Sequence, residues 1–211
     1  MPGKSRQLAL DLHAPPRWGG RREGAGRPPG PSPRDPHRRR APLAPRFPCH
    51  VTLRIRRGIP SLRKAGLVRE WKRSLREGCE RGRFRVVQYS LQRDHVHLLV
   101  EASSARDLAC GMKSIGARLA RAVQRAFRRR GPVLADRYHL RVLRTPREVR
   151  NALVYVLQNF RKHIRRAGGL DPCSSARWFN GWRTAPGGAL DASPLPRART
   201  WLAQVGGGAM G

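Results

Sequence analysis

The 211-residue chain sets 45 Lys and Arg against 13 Asp and Glu, a formal net charge of +32. No long apolar run occurs, which excludes a bilayer-spanning helix, and no apolar stretch leads to a small-residue cleavage site near the N-terminus, so no signal peptide is expected. The length suits one domain plus tails, and the charge calls for a polyanion: nucleic acid ahead of an anionic membrane, in a cytoplasmic, nucleoid-associated setting.

Residues 1–45 form a separate polymer, expected to be a disordered basic arm. Gly19-Gly20-Arg21-Arg22, Gly26-Arg27-Pro28-Pro29 and Arg38-Arg39-Arg40 offer little apolar area to offset the entropy of ordering. Arg38, Arg39 and Arg40 are candidate DNA contacts, since such an arm adds salt-dependent phosphate affinity. Gly26-Arg27-Pro28 has the form of a minor-groove hook, but a plain electrostatic arm is the simpler reading.

Order is predicted from residue 46 to residue 168. His50 to Arg56 alternates and is β-branched, which predicts a strand. Leu62, Ala65, Leu67, Val68, Trp71 and Leu75 recur at helical spacing up to about Arg81, with Gly82 as the expected stop. Phe84 to Leu91 is a second strand, Gln92-Arg93-Asp94 a turn, and His95 to Glu101 the returning strand. Ser103 and Ser104 precede a long helix, Ala105 to Arg130, closed by Gly131-Pro132. Its apolar side holds Leu108, Met112, Ile115, Leu119, Val123 and Phe127, while Arg118, Arg121 and Arg125 on the other side, with few acidic partners in sight, are candidate phosphate contacts.

Tyr138 to Leu143 is the next strand. Thr145-Pro146-Arg147-Glu148 then combines a capping box with Pro at the first helical position, and the helix runs to about Ala167. Residues 169–211 are a Gly/Pro-rich extension, expected to be partly disordered. Cys49, Cys79, Cys110 and Cys173 are scattered without a Cys-x-x-Cys pair, which argues against a zinc ribbon and a disulfide scaffold and predicts reduced thiols, with Cys110 packed in a helix. The element order predicts an α+β, ferredoxin-like βαββαβ antiparallel sheet with an additional C-terminal helix, helices on one face and the other face free.

The chemistry concentrates on that free face. In Asp94-His95-Val96-His97-Leu98-Leu99-Val100-Glu101 the period of two puts His95, His97, Leu99 and Glu101 on one side and three aliphatics on the other. Two alternating imidazoles suit a metal site that lacks a third ligand, and equally an ordinary polar strand face. On the last helix Tyr155 and Asn159 are four apart, hence on one flank, with Asn151 and Lys162 beside them. A surface Tyr and Asn is the bland reading. Beside an imidazole pair, however, an amide oxygen completes a divalent-ion site with open positions, and a phenolate is a competent nucleophile on phosphorus. Glu101 is a candidate to orient an imidazole. Tyr89 reads as core and Tyr138 as a packing or DNA-touching residue; His50 and His139 are candidates to lie close to the site, with ordinary strand positions the simpler reading.

His95-Val96-His97, Tyr155-x-x-x-Asn159 and the strand-helix order resemble the single-tyrosine HUH transposases. Within them the chain is most similar to the bacterial REP-associated tyrosine transposases, a likeness that covers about Pro48 to Arg166 and extends to the Gly/Arg-rich arm, Asp136-Arg137-Tyr138-His139 and Ser174-Ser175-x-x-Trp178-Phe179. The resemblance implies that His95, His97 and Asn159 ligate Mg²⁺ or Mn²⁺. It implies that Tyr155 attacks a phosphodiester of single-stranded or hairpin DNA, giving a 5′-phosphotyrosine and a free 3′-hydroxyl, in a monomer or homodimer with Lys162 among the DNA contacts. The chain departs from the family in one place: Phe160 follows Asn159 where relatives often have Pro. Three alternatives stand beside this reading. One is a catalytically retired basic protein that holds hairpin DNA or RNA without cleavage. Another is a ribosomal-type RNA binder, which leaves the His/Tyr/Asn set unused. The third is a replication initiator or relaxase of the same chemistry, disfavoured by the small size.

Overall fold

A computed structural model of the protein describes residues 41–163, 169–184 and 192–208, with the side chains of the third long helix described up to Gln158. Arg38, Arg39 and Arg40, and the side chains of Asn159 and Lys162, lie outside the described residues.

Five strands form one antiparallel sheet: β1 (Cys49–Arg54), β2 (Glu80–Arg81), β3 (Phe84–Leu91), β4 (His95–Ala102) and β5 (His139–Val142), in the order β2-β3-β4-β1-β5. The inner four, β3-β4-β1-β5, have the ferredoxin-like order that the sequence predicts, and β2 is an added edge hairpin. Helix α1 (Ala65–Arg76) is shorter than the apolar spacing suggests. Leu62 is buried outside it, tied by its N–H to the Arg93 carbonyl at 2.9 Å, and the chain leaves the helix at Glu77. Gly82, expected as the helix stop, instead takes φ 58° in the β2–β3 turn, a left-handed conformation that glycine adopts without steric cost.

Helix α2 (Ala105–Ala126) starts at Ser104, whose hydroxyl accepts the Asp107 N–H, and ends before the predicted Gly131-Pro132. Leu108, Met112, Ile115, Leu119 and Val123 pack with α1 onto Val51, Leu53, Val96, Leu98 and Val100. Where Gly111 sits, a Cβ would meet the Phe84 ring at 2.1 Å, so that helix position admits no side chain. Cys110, expected in the packed face, is exposed, whereas Cys49, Cys79 and Cys173 are buried; all four are free thiols.

A bulge in β3 decides which of its residues face this core. Val86 pairs with Val100 and Gln88 with Leu99, so Val87 is the extra residue. Phe84 and Val86 before the bulge and Tyr89 and Leu91 after it therefore share one face, which unbroken alternation would forbid. Tyr89 is core, as read from the sequence.

The second face of the sheet is covered in part, contrary to the expectation of a free face. Helix α3 (Pro146–His163) lays Val149, Leu153, Val156 and Leu157 on Val87, Leu99 and Leu143. Its capping box is formed: Glu148 N–H donates to Thr145 Oγ1 and Thr145 N–H to Glu148 Oε2, both at 3.2 Å. The C-terminal extension adds Phe179, and a short helix α4 (Trp201–Gly206) packs Leu202 here. Residues 173–175 extend the open half of the β3 edge: Leu91 N–H reaches the Cys173 carbonyl and Ser175 N–H the Tyr89 carbonyl, each at 2.9 Å. Asp171, 2 % exposed, anchors this strap by a bidentate pair with Arg63 at 2.7 and 3.0 Å. Among the described residues no helix is long and apolar enough to cross a membrane.

Candidate active site

The site lies where α3 crosses the polar face of β4 and β1. Strand alternation sends Val96, Leu98 and Val100 into the α1–α2 core, so His95 and His97 point to the opposite face, as the sequence predicts, where they meet α3. Antiparallel register adds neighbours from β1: Arg54 stands opposite His95, Thr52 opposite His97, and His50 one pair further on. Across β1, β5 sets His139 opposite Thr52 and Arg141 opposite His50. Residues opposed across strands share a face, so Arg54, His139 and Arg141 border the histidines on the solvent side. All three are exposed.

The imidazoles meet through the same atom. His95 Nε2 and His97 Nε2 lie 3.0 Å apart, with the ring planes nearly perpendicular at 78°. On the far side of each ring Nδ1 has its own partner: Asp94 Oδ1 at 2.8 Å for His95, and Thr52 Oγ1 and His50 Nε2, each at 3.2 Å, for His97. Hydrogen bonding to His95, then its charge, holds the Asp94 carboxyl below the usual aspartate range. His97 is 3 % exposed. Burial, then the neighbouring His95 and His50, pushes its pKa down to about 3. Burial, with His139 and Arg141 adding to it, pushes His50 down to about 4. His97 is thus a neutral imidazole at ordinary pH, the form that binds a cation.

Tyr155 closes the cluster from above. Its ring centroid is 4.9 Å from that of His97 and 5.8 Å from that of His50, edge to face with both. Val156 and Leu153 hold the helix down on either side of it, while Tyr155 itself stays 40 % exposed and open to an approaching strand. Asn159 belongs to α3 one turn further on. Its side chain, like that of Lys162, is outside the described residues.

The donor set fits a divalent ion. Two nitrogens bonded to one ion at right angles with bonds of about 2.1 Å would stand about 3.0 Å apart. When both Nδ1 atoms carry the proton, both Nε2 lone pairs point into the same space, which favours a cation there. Among the described residues there is no cluster of three His, Cys, Asp or Glu side chains suited to a metal.

The remaining candidates lie elsewhere. Glu101 does not reach the imidazoles; its carboxylate accepts Arg199 N–H at 2.9 Å, Thr200 N–H at 2.9 Å and the Thr200 hydroxyl at 2.7 Å, fastening the start of α4. Arg118, Arg121 and Arg125 are on the opposite side of the sheet from Tyr155, because α2 packs on the aliphatic face. Arg118 reaches over Gly78 to the carbonyls of Ser74 and Glu77, and Arg125 pairs with Glu70 at 2.9 Å, acidic and carbonyl partners that the sequence pattern concealed. Arg121 is exposed. The structure adds Thr52, Arg54 and Arg141 to the site and places His50 in it. The His50-x-Thr52-x-Arg54 alternation was visible in sequence, but its register against His95-x-His97 was not.

A ferredoxin-like sheet with paired histidines on a central strand and a tyrosine on the helix above them defines the architecture of the single-tyrosine transposases. Residues 46–155 match the family described as "Transposase IS200 like". The chain belongs to that family. Its fold is shared with the solved structure described as "Structure of the REP associates tyrosine transposase bound to a REP hairpin", at TM-score 0.53 and 15% identity over 78% of this chain and 99% of that one. No curated protein matches the chain.

Proposed function

We propose that the protein is a metal-dependent single-stranded DNA transposase of the REP-associated group, which nicks and rejoins hairpin DNA through a 5′-phosphotyrosine intermediate. The observation that carries this reading is the convergence of His95 Nε2 and His97 Nε2, 3.0 Å apart, beneath the Tyr155 ring. The REP hairpin bound by the similar transposase suggests the kind of substrate.

His95 and His97 would hold the ion, with Asn159 as third ligand by family likeness. A bound Mg²⁺ or Mn²⁺ neutralises phosphate charge and makes the phosphorus a better electrophile. The chain supplies the rest. Tyr155 gives up its phenolic proton and forms the bond to phosphorus. The bond from phosphorus to the 3′-oxygen breaks, and that oxygen takes a proton and leaves as a 3′-hydroxyl. The phosphotyrosine keeps the ester energy, so attack by another 3′-hydroxyl restores a phosphodiester and frees the tyrosine. Arg54 and Arg141 on the open side of the same face attract and seat the strand, and the basic arm adds salt-dependent phosphate affinity.

Single-stranded hairpin DNA labelled at either end, incubated with Mn²⁺, tests the polarity. The expected products are a free 3′-hydroxyl fragment and a 5′ end retained on protein, both absent with chelator or with His95→Ala. Hairpin binding without cleavage in Mg²⁺ and Mn²⁺ alike would assign the chain to the binding-only class instead.

A further inference from the structure

We propose that His50 and Thr52 are positioning residues, which together hold His97 in the tautomer and orientation that turn its Nε2 toward His95. This rests on the metal-site reading of the two histidines. For Nε2 of His97 to serve as a ligand it must carry no proton, so Nδ1 carries it and has to donate. Water does not serve that nitrogen, because His97 is 3 % exposed. The groups at that nitrogen come from one strand: Thr52 Oγ1 and His50 Nε2, each 3.2 Å away. They stand on β1 at alternate positions, on the face opposite Cys49, Val51 and Leu53, which do the packing of that strand. Neither is a component of the α1–α2 core, so a packing role does not account for them. His95 has the same arrangement, with Asp94 Oδ1 at 2.8 Å from its Nδ1. Each histidine is thus held at one nitrogen and directed by the other. His50 has a second contact, the edge of the Tyr155 ring at 5.8 Å between centroids, so the ring that steadies His97 also borders the nucleophile.

A ligand histidine that loses the partner of its second nitrogen typically loses about 10- to 100-fold in metal affinity. Mn²⁺ titration calorimetry on the full chain reads this without any turnover. The double variant His50→Ala/Thr52→Val is expected to bind Mn²⁺ about 10-fold or more weakly than wild type. His50→Gln with Thr52 intact is expected to bind close to wild type, because its side-chain carbonyl restores an acceptor. His95→Ala is the control for the site itself. If wild type and His95→Ala bind Mn²⁺ equally, the metal-site reading fails. If His95→Ala loses binding while the folded double variant binds as wild type does, the positioning role alone is overturned. The unaltered metal-free protein gives an independent answer through the imidazole ¹⁵N shifts of His97: protonation at Nδ1 is expected, and protonation at Nε2 overturns the proposal even if the double variant does not fold.

Discussion

At the scale of single residues the proposed chemistry depends on burying neutral histidines. His97 and His50, with pKa values pushed down to about 3 and about 4 chiefly by burial, stay unprotonated in the fold where the unfolded chain would bind protons near 6.5. Their influence on stability is absent above that value. It turns unfavourable as pH falls, because the unfolded chain gains protons that the folded one refuses. We expect unfolding free energy, measured by denaturant titration without metal, to drop on the order of 2 kcal/mol for each of the two between pH 7 and pH 4.5. A His50→Gln variant should lose less over the same window; an equal loss would mean that His50 is not buried neutral. The His95–His97 pair was legible in sequence because a strand period of two is enough to place both on one face. The place of His50 and the role of Thr52 were not, because strand register is set by tertiary pairing and leaves no local mark.

At the scale of elements, legibility followed local chemistry. The capping box at Thr145–Glu148 and the Ser104 cap announced α3 and α2, since each is satisfied by side chains within one turn. Gly82 was readable as a breaker but not as a hairpin glycine, and the Val87 bulge that keeps Tyr89 in the core had no sequence signal. Helix α4 was hidden in Gly/Pro-rich composition because Glu101, about a hundred residues earlier, fastens its first turn. Glu101→Gln is expected to weaken that attachment by about 1–3 kcal/mol, seen as faster amide exchange over residues 199–206, with Mn²⁺ affinity unchanged. A loss of Mn²⁺ affinity would place Glu101 in the metal site after all. The Arg63–Asp171 pair behaves differently. Arg63→Ala leaves a carboxylate that is 2 % exposed with the Cys173 N–H as its described donor, and global stability by chemical denaturation should fall on the order of 3 kcal/mol. A change under about 1 kcal/mol would show the strap to be dispensable.

For the whole molecule, whose net charge is +32, the basic side chains of the described helices and strands are divided by the sheet. The basic residues of α2 look away from Tyr155, and two of them, Arg118 and Arg125, are engaged by α1 and its C-terminal turn. Among the described residues Arg54 and Arg141, which border the site, come from strands, and Arg141 pairs with Glu148 at 3.3 Å. Composition announced a polyanion partner but could not say which basic residues would face it, because that depends on which side of the sheet each helix covers. Arg54→Ala and Arg141→Ala should therefore weaken hairpin binding more than Arg121→Ala does. Removing residues 1–45 should lower affinity and flatten its salt dependence without abolishing metal binding. An unchanged salt slope after truncation would show that the arm makes no phosphate contacts.

The proposed chemistry turns on Tyr155 attacking DNA above the histidine pair. A denaturing gel of protein incubated with labelled single-stranded hairpin DNA and Mn²⁺, followed by peptide mass spectrometry of the shifted band, decides it. The expected outcome is a denaturant-resistant adduct on the peptide that contains Tyr155, lost on chelation and lost in Tyr155→Phe although that variant still binds the hairpin. An adduct of undiminished yield in Tyr155→Phe, or one mapped to Tyr89 or Tyr138, would show that another group is the nucleophile.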